Sequence, residues 1–218
     1  MDKKMLQKSR MWKYFVEAAT EIIEEEGARA VTIRKVADRA GYNSATIYNY
    51  FDEFSHLLFF ASMRLMKDYT VEVTRRMNEE SCALDQYVTA WECFCEYSFK
   101  QPDIFHSVFI RDLGDNPDHL LEKYYEFYPA DLVDVPEEIR MSLLEQNVVK
   151  RGNPILKRAV EQGNLDADKI ESLNEVTILI WQGMLMNFLN NRIEATPDEA
   201  ASRTMFYVKE IINRLKSE

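Results

Sequence analysis

Thr32-Ile33-Arg34-Lys35-Val36-Ala37-Asp38-Arg39-Ala40-Gly41-Tyr42-Asn43-Ser44-Ala45-Thr46-Ile47-Tyr48-Asn49-Tyr50-Phe51 is the stretch that decides the fold. Thr32 stands where a hydroxyl caps a short helix over 33–40, and Gly41 supplies the backbone conformation that stops it. Asn43 is placed as a second cap, opening a short helix from Ser44 to about Phe51. Two short helices joined by Ala40-Gly41-Tyr42 form a helix-turn-helix, whose second helix enters the major groove of DNA. Ser44, Ala45 and Thr46 are small enough to let that helix end approach DNA closely. Tyr48 and Tyr50 flank Asn49, so hydroxyls suited to phosphate sit beside an amide suited to a base edge.

Upstream, Met11, Trp12, Phe15, Ala18, Ala19, Ile22 and Ile23 make one 3.6-residue stripe over 4–26, stopped by Gly27. Downstream the pattern stays helical over about 54–78, 84–100, 103–112, 117–128, 138–162, 169–193 and 198–216. Pro102, Pro117 and Pro197 sit just inside helix starts, with Thr196 as the cap before Pro197. Pro129 to Pro136 reads as a loop, and Gly163-Asn164 ends the long helix before Asp166. The 6 Gly and 6 Pro are few for 218 residues, and no Val/Ile/Thr alternation suggests a strand. The fold class expected is all-α, with a three-helix head over 1–54 and a helical body over 55–218.

With 46% hydrophobic residues the chain can bury a core, which excludes intrinsic disorder. No 18-residue run lacks charge, and Met1-Asp2-Lys3-Lys4 leads into a polar amphipathic pattern. A soluble, cytoplasmic protein without a membrane partner is expected. The 27 Lys+Arg against 37 Asp+Glu leave a net charge of -10, at first sight an argument against nucleic acid. Position answers it: Lys3, Lys4, Lys8, Arg10, Lys13, Arg29, Arg34, Lys35 and Arg39 equal in number the acids of residues 1–60, so the deficit lies beyond. Five of those head acids (Glu17, Glu21, Glu24, Glu25, Glu26) share one helix, leaving room for a locally basic face. Cys82, Cys93 and Cys95 read as reduced thiols, because residues 93 and 95 diverge by about 200° on a helix. His56, His106 and His119 lack metal-ligand spacing, so no metal or cofactor is expected. No acid, base and nucleophile set points to an enzyme.

Gly27 to Leu58, with Thr32, Val36-Ala37, Ala40-Gly41, Thr46-Ile47-Tyr48-Asn49-Tyr50-Phe51 and Leu57, resembles the DNA-binding head of the TetR family of bacterial one-component regulators. Ala18-Ala19, Ile22 and Gly27 fit the same pattern, so the likeness covers about 55 residues. It implies phosphate contacts from Thr32, Tyr48 and Tyr50, and base or backbone contacts from Arg34, Asn43, Ser44, Ala45, Thr46 and Asn49. Three departures stand out. Phe54 replaces the usual Lys at the start of the fourth helix, Tyr42 replaces a small apolar turn residue, and Ala45 replaces a common Gly. With Asp52 and Glu53 alongside, these reduce nonspecific affinity, with Arg34, Lys35 and the amino-terminal cations as compensation.

The resemblance further implies a body that encloses a small-molecule effector and pairs two chains. The aromatic middle supplies Trp91, Phe94, Tyr97, Phe105, Phe109, Tyr124 and Tyr128 as a lining, with Met141, His106, His119 and Arg111 as polar or adaptable groups. The acid excess favours a cationic or neutral effector. Stripes through Ile178, Trp181, Leu185 and Phe188 and through Met205, Val208 and Ile212 form the expected homodimer interface, where Gly183 permits close backbone approach. The function expected is a ligand-responsive transcriptional repressor that leaves its operator on binding a small molecule. The main rival is a helical ligand-binding or adaptor protein that has lost DNA binding, motivated by Asp52, Glu53 and Phe54.

Overall fold

The computed structural model describes residues 3–114, 117–132, 140, 142, 145 and 150–216. In chain order the helices are α1 (Lys3–Glu26), α2 (Ile33–Ala40), α3 (Ser44–Ile47), α4 (Phe54–Leu65), α5 (Lys67–Asn78), α6 (Ala83–Lys100), α7 (Pro102–Phe109), α8 (Pro117–Phe127), α9 (Asn153–Glu161), α10 (Ile170–Leu189) and α11 (Pro197–Leu215). Short 3-10 turns cover Ala28–Ala30, Pro129–Leu132 and Ala167–Lys169. Among the described residues no strand forms, and a single antiparallel bridge joins Leu165 to Lys216. The fold class is all-α, as the sequence pattern indicates.

Three expected helices differ. The stretch 54–78 is two helices, because at Met66 (ψ 0°) the amide bonds back to the carbonyl of Met63 (3.2 Å), a tighter turn than the α-helix allows. The second helix of the helix-turn-helix, α3, ends at Ile47 rather than near Phe51. The amides of Asn49 and Tyr50 bond three residues back, to Thr46 (3.2 Å) and Ile47 (2.9 Å). Of the expected helix over 138–162, the described residues show α9, a turn at 150–152 before it, and helical backbone at Arg140 and Ser142; most of 138–149 lies outside the described residues. The punctuation holds elsewhere: α7, α8 and α11 begin at Pro102, Pro117 and Pro197. Thr196 and Glu199 close a capping box, the Thr196 amide donating to Glu199 Oε2 (2.7 Å) and the Glu199 amide to Thr196 Oγ1 (3.3 Å).

The chain divides into two compact units, Met1–Lys67 with Asp103–Asp131, and Asp68–Pro102 with Leu132–Glu218. The first thus holds the helix-turn-helix together with α4, α7 and α8. Its core is aromatic. Trp12 stacks on Phe127 (centroids 4.2 Å) and meets Phe60 edge-on (4.5 Å). Phe51, 3% exposed, stacks on Trp12 (5.7 Å), and Ile47 is fully buried. Asp131 accepts from Tyr124 (2.6 Å) and Arg64 (2.8 Å), and the Arg64 guanidinium lies 4.2 Å from the Tyr128 ring centroid.

In the second unit α11 runs along α6, supplying Ala200, Thr204, Val208 and Ile212 to the interior. Trp181 of α10 is fully buried and donates its Nε1–H to Ser98 Oγ (3.0 Å), which satisfies the one polar atom of its ring. Cys82, Cys93 and Cys95 are unpaired thiols, and burial pushes the Cys93 thiol up to about 12.

Candidate nucleic-acid interface and effector cavity

The helix-turn-helix is built by short-range chemistry. Thr32 Oγ1 accepts from the Lys35 amide (3.2 Å), fixing the start of α2. Its end is a Schellman turn: Gly41 takes φ 72°, its amide bonds the Asp38 carbonyl (3.2 Å), and the Tyr42 amide bonds Ala37 (2.9 Å). Asn43 Oδ1 then accepts from both the amide and the hydroxyl of Thr46 (3.0 Å each). Thr46 therefore spends its hydroxyl proton on the cap, leaving its oxygen as an acceptor.

The outward face carries Thr32, Arg34, Asn43, Ala45, Tyr48 and Asn49 exposed, with Ser44, Thr46 and Tyr50 half-buried. Tyr48 is 56% exposed, whereas the Tyr50 ring tilts against Phe15 (5.5 Å). Tyr42, the unusual turn residue, swings over α1: its ring meets Phe15 and Tyr14 edge-on (5.5 and 6.4 Å) and its hydroxyl donates to Met11 Sδ (3.4 Å). Phe54 opens α4 half-buried, next to exposed Asp52 and Glu53.

The expected basic face is largely neutralised within the chain. Lys35 Nζ bonds Glu26 (2.6 Å), Arg39 forms a two-pronged pair with Glu25 (2.8 and 2.5 Å), and Arg29 bonds Asp103 (2.8 Å). The Arg39 guanidinium accordingly holds the Glu25 carboxyl below the usual carboxylate range. Arg34 differs: its side chain is 89% exposed and its nearest acid, Asp38, stands 3.9 Å away. Lys35 is thus paired to Glu26 rather than standing ready to compensate for Phe54, as expected from sequence. The signal was present in the Glu24-Glu25-Glu26 run. Only the fold shows that it meets α2.

The second unit contains a cavity of about 90 Å³. Tyr69, Val73 and Met77 of α5 face Tyr87, Ala90, Trp91 and Phe94 of α6, and Ile155 of α9 and Ile178 of α10 complete the apolar wall. The polar lining is Tyr87, Ser142, Arg151 and Asn174. Tyr87 OH donates to Asn174 Oδ1 (3.2 Å) and lies 3.0 Å from Thr177 Oγ1. Burial pushes this phenol up to about 12, so it stays neutral.

Of the expected lining, Trp91 and Phe94 face this cavity. Tyr97 packs edge-on against Tyr69 (5.7 Å) outside it. Phe105, Phe109, Tyr124 and Tyr128 belong to the first unit, as do His106, Arg111 and His119; Met141 lies outside the described residues. Among the described lining residues there is one cation, Arg151, and no carboxylate. That reverses the preference for a cationic effector drawn from overall charge. Sequence reasoning missed the α5 wall of Tyr69, Val73 and Met77, the apolar Ala90 and Ile155, and Ser142, Arg151, Gly152 and Asn174, and it assigned Ile178 to the dimer interface. Asn174 gave the one available signal, a polar residue within the apolar pattern of α10.

The expected interface stripes also need correction. Ile178, Trp181, Leu185, Met205, Val208 and Ile212 are all at most 8% exposed, packed inside their own unit, while Phe188 is half-buried and Gly183 exposed. The apolar groups that α10 and α11 leave outside are Leu179, Met186, Phe206 and Tyr207.

Residues 15–55 match the family described as bacterial regulatory proteins, tetR family. No curated protein matches the chain by sequence. Solved structures do. FadR of Thermus thermophilus, a TetR family transcriptional repressor in complex with lauroyl-CoA, is 16% identical with a TM-score of 0.60 over 93% of each chain. RolR in complex with resorcinol is 14% identical with a TM-score of 0.60 over 98% of each. FadR of Bacillus subtilis in complex with stearoyl-CoA is 14% identical with a TM-score of 0.55, covering 92% of this chain and 97% of that one. At these identities the structures attest the fold, and the sequence match covers the helix-turn-helix head. The helix-turn-helix head, residues 15–55, is that of the tetR family of bacterial regulatory proteins.

Proposed function

We propose that the protein is a homodimeric transcriptional repressor whose grip on an operator is released by a small molecule bound in the second unit. The observation that carries this reading is the exposed, doubly capped helix-turn-helix, with Tyr48, Asn49 and the small end of α3 facing outward. Tyr48 and Thr32 hydroxyls suit phosphate, and Asn49 suits a base edge. Arg34, 89% exposed, supplies a cation. The head proper is 1–54 and the body 55–218. Each head of a dimer would present its recognition helix to successive major grooves about 34–36 Å apart.

Pairing through the outer faces of α10 and α11 is supported by exposed Leu179, Met186, Phe206 and Tyr207, with exposed Gly183 allowing close approach. Release follows if an effector binds better to a body conformation that holds the heads off register. DNA affinity then falls by its differential affinity for the two states. Among the described residues no helix is long and apolar enough to cross a membrane, and a cytoplasmic regulator fits that. The experiment is selection of bound duplexes from a random pool, followed by competition with bulk DNA over a salt series. A repressor yields a two-fold symmetric sequence bound well above bulk DNA. Equal retention of all duplexes, or none, defeats the reading.

A further inference from the structure

The polar groups around the cavity of the second unit are partnered, with one exception. Tyr87 OH is held between Asn174 and Thr177, Asn174 Nδ2 donates to Asn153 Oδ1 (2.6 Å), and Arg151 Nε donates to the Ser142 carbonyl (2.9 Å). Ser142 Oγ has no hydrogen-bond partner, although Ser142 is only 9% exposed and lines the cavity. A buried hydroxyl left unbonded costs stability that alanine would not, and such a group calls for an explanation. A ligand oxygen bonded to it supplies one.

The rest of the lining limits what that ligand is. Its walls are rings and aliphatic chains, which favour an apolar body. With no carboxylate among the described lining residues, a cation would be buried without a counter-charge. The volume of about 90 Å³ is below the roughly 150 Å³ that holds a benzene ring, so even a single ring requires a side chain to yield. Met77, an unbranched thioether on the wall, is suited to yielding. The Gly152 side has no slack: a Cβ there would lie 2.2 Å from Asn174 Oδ1 and 2.8 Å from Tyr87 Cε2.

We propose that the cavity takes a molecule without positive charge, no larger than a single substituted ring, carrying one hydroxyl or carbonyl oxygen that bonds Ser142 Oγ, and that it rejects small organic cations and acyl-CoA. This deepens the effector reading above and rests on it only for the effect on DNA.

The test uses phenol, benzylammonium and lauroyl-CoA on the full chain, with melting temperature as one readout and release of a selected duplex as a separate one. Phenol raises the melting temperature and the other two do not. Ser142→Ala raises the melting temperature of the ligand-free protein yet weakens phenol binding about fivefold, the worth of one neutral hydrogen bond. These opposite signs are what a serine kept for a ligand shows and a structural serine does not. Ala90→Ile fills the cavity from α6 and abolishes the phenol effect, which keeps the test intact if the serine variant folds poorly. The proposal is overturned by benzylammonium or lauroyl-CoA outbinding phenol, by no stabilisation from phenol, or by Ser142→Ala leaving phenol affinity unchanged or lowering ligand-free stability. Phenol binding without duplex release upholds the ligand class and defeats the effector reading. Duplex release by lauroyl-CoA without phenol binding does the reverse.

Discussion

The helix-turn-helix and the cavity are opposite kinds of construction. The first is made within twenty consecutive residues, by Thr32, Gly41 and Asn43, each acting on backbone groups a few positions away. The second is assembled from α5, α6, α9 and α10 with Ser142, Arg151 and Gly152, so its lining is spread from residue 69 to residue 178. A site whose geometry is local can be read from residue types. A site whose geometry is tertiary can be read only after the fold is known.

The largest effect that tests this contrast lies in the second unit. Leu185→Ala removes a fully buried side chain and should cost about 2–5 kcal/mol of stability at any protein concentration. By comparison, Phe206→Asp, on an exposed residue, should shift the protein from dimer to monomer in sedimentation with the fold intact. If Leu185→Ala instead yields a stable monomer, the burial assignment fails and the stripe faces a partner. Next in size is Asn49→Ala, expected to change base preference at one operator position by about 1–3 kcal/mol, while Tyr48→Phe should weaken all duplexes alike. Unchanged binding in both would remove the recognition face from 43–50. Asn43→Ala deletes an N-cap and should lower stability by about 1 kcal/mol. A melting temperature equal to wild type would show that α3 does not depend on its local cap. Smallest is Phe54→Lys, expected to tighten DNA binding and steepen the salt slope by about one unit. A flat salt profile would mean that residue 54 points at protein.

What was legible divides along the same line. Caps, proline starts and the glycine stops at 41 and 163 were readable because each acts within one helical turn. The break at Met66 was not, since no Gly, Pro or cap residue marks it. The stripes of α10 and α11 were visible as stripes, but periodicity shows that a face is buried and not against what. Trp181 satisfies its ring N–H on Ser98, 83 positions earlier, and so belongs to its own core. Overall charge misled twice: it argued against DNA until divided by position, and it favoured a cationic effector until the described lining residues showed Arg151 and no acid.

The pairing of Lys35 with Glu26 and of Arg39 with Glu25 has a consequence for how the protein finds its site. A phosphate must displace a carboxylate to reach either cation, so random sequence offers little in return for a landing. On the proposed reading, encounters with bulk DNA would then be brief, the search would run more through free diffusion than through sliding, and the operator would be distinguished by how long it retains a visitor rather than by how strongly the surrounding DNA attracts one.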